Sequence, residues 1–217
     1  MDFALARRNM VECQLRTNKI VSPDILAALH SVPRERFVPV ARKGQAYSDE
    51  HVAIGEGRWL APAMPIMRLI QEAYPSATDN ALVVGAGYGY SAAILGRLCR
   101  SVFATDDNAE FVSAMSSVLT DLAADNVVAV EAPLKAGFPK EGPYDIILLD
   151  GSVEEVPQAL FDQLAEGGRL MAIVGAPGRI GRAMLYGKRN GAVSHRELFD
   201  MSIKALPGFE KEPAFVF

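Results

Sequence analysis

The stretch Ala81–Gly96, ALVVGAGYGYSAAILG, passes from an apolar run through three alternating glycines into a helix-like segment. Glycines at a strand-to-helix turn accept positive φ and let the backbone approach a ligand closely. The helix N-terminus behind them offers unpaired N–H groups to an anion. Asp106, with Asp107 beside it, ends the next apolar run about twenty residues on, where a carboxylate can accept from both hydroxyls of a ribose. Loop and acid together point to a nucleoside ligand held by Gly85, Ala86, Gly87, Tyr88, Gly89, Asp106 and Asp107. The spacing argues against a dinucleotide, whose fingerprint is G-x-G-x-x-G, because here Tyr90 follows the third glycine.

The tighter G-x-G-x-G is the form that S-adenosylmethionine-dependent methyltransferases typically show, with the ligand's methionine carboxylate as the anion. Asp150 closes another apolar run, at the strand end where open α/β sheets bind ligands, and is added to the cofactor set. Its alternative role is an N-cap for the following turn. A Gly/Pro stretch, Gly55–Pro65, carries the only tryptophan and sits ahead of the glycine loop. Within it Arg58 could hold a carboxylate bidentately or be a solvated surface residue. Trp59, Leu60 and Ala61 would form an apolar mouth for an acceptor, with His51 just before it. His30, His51 and His195 share no metal spacing, so no metal is expected, and no catalytic triad order is visible.

These residues need a scaffold, and 217 residues suit one domain. Half the residues are hydrophobic and 22% charged, ordinary globular usage that allows a sizeable core. A net charge of −4 without any Lys/Arg-rich run argues against nucleic acid as partner. Cys13 and Cys99 lack metal spacing, and Cys99 fits a buried free thiol at a helix end. No targeting segment and no run near ~18 apolar residues is visible, so a soluble, cytoplasmic protein with no membrane partner is expected.

Apolar runs at Ala81–Val84, Ser101–Thr105, Asn126–Val130, Tyr144–Asp150 and Arg169–Gly175 alternate with helical patterns at Tyr90–Cys99, Asn108–Ala123 and Val156–Leu164. Near-continuous β-branched and leucine runs mean strands buried on both faces, hence a parallel, doubly wound α/β sheet. Asn190-Gly191 marks a hairpin that would close one edge antiparallel. The first ~80 residues read as helical, with Ser22-Pro23 as N-cap and N1 of one helix and another at Ile66–Ala73. The expected division is 1–75, a helical extension with the acceptor loop, and 76–217, the α/β unit. The terminal PGFEKEPAFVF is by default frayed, with Phe215 and Phe217 able to dock or to mediate association.

From roughly residue 7 to residue 205 the chain resembles the protein-L-isoaspartate O-methyltransferase family. NMVECQLR (Asn9–Arg16), VPRERFVP (Val32–Pro39), AYSDEHVAIGEG (Ala46–Gly57), the glycine loop, YDIILLD and EVPQALFDQLAEGGRL follow that family's order. The resemblance implies a class I, Rossmann-like methyltransferase fold with an N-terminal helical extension. It also implies S-adenosylmethionine as cofactor, and methyl transfer to the α-carboxylate of isoaspartyl residues in damaged peptides or proteins. A carboxylate is already nucleophilic at neutral pH, so few catalytic residues are needed, and none is assigned. The chain departs from the family in GRWLAPA where members carry GQTISQP. It departs again at Val83, where an acid is usual, and at Ala132-Pro133-Leu134 in place of Gly-Asp-Gly. Asp150-Gly151-Ser152 replaces the family's Thr-Ala-Ala. These departures leave two other readings open: a different methyl acceptor, or a non-catalytic paralogue acting through protein contacts.

Overall fold

Asp2 caps the first helix, α1 (Phe3–Asn9), through its carboxylate, which accepts from the Leu5 N–H at 3.0 Å. A π-helical turn, Met10–Leu15, continues it and buries Met10, Val11 and Leu15. Ser22 in extended backbone and Pro23 at N1 then start α2 (Pro23–Ser31), as their types predict. The computed structural model describes residues 1–176 and 178–211. The stretch expected as an open Gly/Pro loop is a two-stranded hairpin, β1 (Val52–Gly55) and β2 (Arg58–Leu60). Its turn rests on positive φ at both Glu56 and Gly57. The following helix, α3 (Ala63–Glu72), starts before the expected Ile66 because Pro65 fits its first turn, where an N–H has no helical partner.

The main sheet holds seven strands in the order β5-β4-β3-β6-β7-β8-β9. They are β3 (Asn80–Val84), β4 (Ser101–Asp106), β5 (Val127–Glu131), β6 (Tyr144–Val153), β7 (Leu164–Val174), β8 (Arg182–Arg189) and β9 (Ala192–Asp200). The first five run parallel, and β8 and β9 add an antiparallel edge. Asn190 and Gly191 turn between these last two strands, both with positive φ, as the dipeptide predicts. From β3 the chain builds outward through β4 and β5, then returns to the other side of β3 with β6. The crevice between the carboxyl ends of β3 and β6 is therefore the topological switch point.

The connecting helices are α4 (Tyr90–Gly96), α5 (Ala109–Asp121) and α6 (Gln158–Asp162). All three are shorter than their apolar periodicity suggests. Leu164 leaves the helical pattern because it pairs with Tyr144 and opens β7. Within β6, Ile146 and Leu148 pack with one cluster while Ile147 and Leu149 pack with the other, so the sheet is covered on both faces. The first cluster includes Met10, Leu15, Leu29 and Phe37, so the N-terminal helices share the sheet's core. Cys99 is buried in it, which pushes its thiol up to about 12, and Cys13 is exposed.

The expectation of a frayed terminus is corrected for the residues up to 211. Leu206 is 3% exposed and Phe209 2%, both in the second cluster, and Ala205 pairs in parallel with Ser152. Phe215 and Phe217 lie outside the described residues.

Candidate active site at the switch point

Gly85, Gly87 and Gly89 all take positive φ and turn β3 into α4. There is no room for side chains here: a Cβ on Gly87 would lie 2.7 Å from Ile54 Cδ1, and one on Gly89 2.7 Å from Met115 Cγ. Four of the loop's amides are bonded inside the protein. Gly85 and Ala86 N–H both donate to the Thr105 carbonyl, Gly89 N–H to that of Ala86, and Gly87 N–H to Asp106 Oδ2 at 2.8 Å. Tyr88 packs its ring against Phe111, centroids 5.5 Å apart.

Asp106 ends β4 fully buried. Arg58 meets it with both guanidinium nitrogens, Nη1 to Oδ1 at 3.1 Å and Nη2 to Oδ2 at 3.0 Å. The same Nη2 donates to the Gly85 carbonyl at 2.7 Å. Burial pushes the Asp106 carboxyl up, while the Arg58 charge and the Gly87 N–H pull it back. Asp107 is half exposed, with Oδ1 3.7 Å from Arg58 Nη1. Arg58 is thus neither a surface residue nor an open carboxylate receptor, being 7% exposed and already paired. The cause is the hairpin. In β2 side chains alternate, so Arg58 and Leu60 face inward and Trp59 faces out. The fork geometry of a guanidinium then matches the carboxylate it meets.

The same alternation buries Leu60, and Ala61 beyond it is buried as well, so neither forms an acceptor mouth. Ala61 instead gives its carbonyl to Arg34, a buried arginine that also donates to the Ala46 carbonyl at 2.7 Å and stacks 4.5 Å over the Tyr90 ring. Asp150 accepts from Ser91 Oγ at 2.7 Å. Burial raises its carboxyl to about 6, against the pull of Ser91, Arg58 and Arg34. It ties β6 to α4 and does not cap a turn.

His51 and Trp59 do come together, rings 6.5 Å apart, and Lys204 Nζ lies 4.9 Å over the indole. His51 Nε2 accepts from the Lys204 N–H at 3.0 Å, and burial with the Lys204 charge holds His51 below its ordinary value. His51 lines a cavity of about 530 Å³ with Ser152, Ile173, Arg179, Ser202 and Lys204. A second cavity of about 660 Å³ lies beyond the ends of β4 and β5, lined by Asp107, Glu131, Pro133, Lys135, Pro207 and Gly208. His30 and His195 lie away from both cavities. Among the described residues no cluster of three or more His, Cys, Asp or Glu could hold a metal ion.

Sequence reasoning missed Leu206. A Cβ on Gly85 would lie 2.5 Å from Leu206 Cδ1, and one on Gly151 2.9 Å from Leu206 Cβ, so the isobutyl group rests on both glycines. Gly85 follows β3 and Gly151 lies in β6, so Leu206 fills the switch-point crevice. Leu206 N–H donates to the Ser152 carbonyl at 2.8 Å, and Ser152 N–H to that of Lys204 at 3.1 Å. Two small residues at strand ends, Gly85 and Gly151, were the only signal of a side chain there. An S-adenosyl ligand with its ribose on Asp106 and its carboxylate on the loop would share Asp106 with Arg58 and displace Leu206. Arg58 holds the acid, four of the loop amides are bonded within the protein, and Leu206 takes the space between.

The family described as protein-L-isoaspartate(D-aspartate) O-methyltransferase matches residues 6–206. A protein-L-isoaspartate O-methyltransferase of Koribacter versatilis is 33% identical over 206 residues, covering 95% of this chain and 92% of the relative. One from Methylorubrum extorquens is 37% identical over 190 residues, 88% and 82% of the two chains. Two solved structures share the fold. A protein-L-isoaspartate O-methyltransferase superposes with TM-score 0.78 at 22% identity, over 93% of this chain and 66% of that one. Another from Plasmodium falciparum, described as that enzyme in complex with S-adenosyl-L-homocysteine, gives 0.76 at 21% identity, over 95% and 98%.

Proposed function

The chain belongs to the protein-L-isoaspartate(D-aspartate) O-methyltransferase family, and we propose that it transfers a methyl group from S-adenosylmethionine to the free carboxylate of isoaspartyl residues in peptides or proteins. One observation carries the proposal. The family match runs over residues 6–206 and includes a glycine loop at the end of β3 with an acid at the end of β4, both at the switch point. The acceptor's place is the cavity lined by His51, Ser152, Arg179, Ser202 and Lys204. Arg179 and Lys204 supply positive charge toward an anionic acceptor, and His51 stays neutral. Such a reaction asks the protein chiefly to position a carboxylate and exclude water. Among the described residues no helix is long and apolar enough to cross a membrane.

The test is incorporation of label from methyl-labelled donor into an isoaspartyl peptide and into its aspartyl twin. Label in the first alone supports the proposal, and label in neither overturns it. The self-occupied crevice favours a second reading, a paralogue that works through protein contacts. Calorimetric heat on titrating S-adenosylmethionine would remove that reading.

A further inference from the structure

We propose that Ser202–Phe209 is a gate that closes the donor crevice and separates it from the acceptor cavity, with Leu206 as its bolt. The inference rests on the methyltransferase reading above. Ser202, Ile203, Lys204 and Ala205 line the cavity that holds His51 and Arg179. Pro207 and Gly208 line the other cavity, at the ends of β4 and β5 beside Asp107. Leu206 stands between them on Gly85 and Gly151, where a methyl group would have to cross from donor to acceptor.

The segment is built to close and to release. Between Ser202 and Phe209 there is no helix and no strand beyond the single Ser152–Ala205 bridge. Its backbone is tied by four bonds: Ser152 N–H to Lys204 O, Leu206 N–H to Ser152 O, Glu154 N–H to Phe209 O at 3.3 Å, and Lys204 N–H to His51 Nε2. Three apolar side chains anchor it, Ile203 in the first cluster and Leu206 and Phe209 in the second. Arg58 completes the closed state, because it holds Asp106 and the Gly85 carbonyl beside the bolt. A ligand that binds only the open form has its apparent affinity reduced by the fraction of molecules that are open.

Full-length protein titrated calorimetrically with S-adenosylhomocysteine tests this. Leu206→Ala binds roughly tenfold more tightly than the unaltered chain if about nine molecules in ten are closed. Ser152→Cys with Ala205→Cys locks the gate when oxidised, so the oxidised pair loses binding while the same protein reduced binds as the unaltered chain does. The reduced pair controls for folding. Hydrogen exchange reads the segment itself: residues 202–209 exchange faster when ligand is saturating. Equal affinity in all forms, or slower exchange with ligand, overturns the gate. If the unaltered chain still methylates an isoaspartyl peptide, the functional proposal survives that result. Failure of every form to bind at millimolar ligand overturns both.

Discussion

Two arginines are buried, Arg34 in the turn Arg34–Arg36 and Arg58 in β2 of the hairpin. Arg34 donates to the carbonyls of Ala46 and Ala61 and lies over Tyr90. Arg58 donates to the Asp106 carboxylate and the Gly85 carbonyl. The first has fixed main-chain partners and serves only the fold. The second holds a carboxylate whose position suits a ribose. A buried cation matched to backbone is a structural part, whereas one matched to a carboxylate at a ligand crevice competes with the ligand.

Substitutions at the two sites separate these roles. Arg34→Ala leaves two buried carbonyls without a donor and removes the stacking on Tyr90, so the largest loss of stability is expected here, about 3–5 kcal/mol by denaturant titration. A loss under about 1 kcal/mol would show that water replaces the guanidinium and that the contrast is false. Arg58→Ala is expected to cost less, about 2–3 kcal/mol, because the acid it strands can protonate. That loss has a pH signature. Without Arg58 the folded pKa of Asp106 rises further above its unfolded value, so the variant recovers stability as the pH falls and loses it as the pH rises. A deficit flat between pH 5 and 8 would sink the ion-pair argument. In Arg58→Ala, S-adenosylhomocysteine should also bind more tightly, which Arg34→Ala has no means to produce.

The smallest effect concerns His51. Its folded pKa lies below the ordinary value of about 6.5. Its contribution is therefore complete above that value and is lost as the pH falls through the folded pKa, when a protonated ring can no longer accept from Lys204 N–H. Hydrogen-exchange protection factors of residues 202–209, corrected for the intrinsic pH dependence of amide exchange, should fall on acidification and lose that dependence in His51→Ala. An unchanged profile in the variant would assign the pH effect to another group.

The sheet was legible because its strands are buried on both faces. Runs such as Tyr144–Asp150 fit a strand covered on both faces, and Asn190-Gly191 fixes the edge hairpin. Glycine spacing, with an acid at the end of the next apolar run, made the loop and Asp106 legible as well. Arg58 was within reach of the sequence, since alternation along Arg58-Trp59-Leu60 puts the arginine on the side opposite an exposed tryptophan, but only once Glu56-Gly57 is taken as a hairpin turn. Leu206 was not within reach. It belongs to a Pro/Gly-flanked stretch without periodicity, and its contacts lie more than a hundred residues earlier, at Gly85, and at Gly151.

The lengths of β3 and β6 have a consequence of their own. β3 stops at Val84, while its neighbour runs on to Val153. Past Val84 one flank of the longer strand has nothing beside it, a slot one strand wide with bare main chain on its wall. Ala205 occupies that slot through its bridge to Ser152. An exposed strand flank of this kind invites pairing with another chain. The tail therefore also shields a sticky seam, and whatever moves it aside for long leaves the protein open to its own copies.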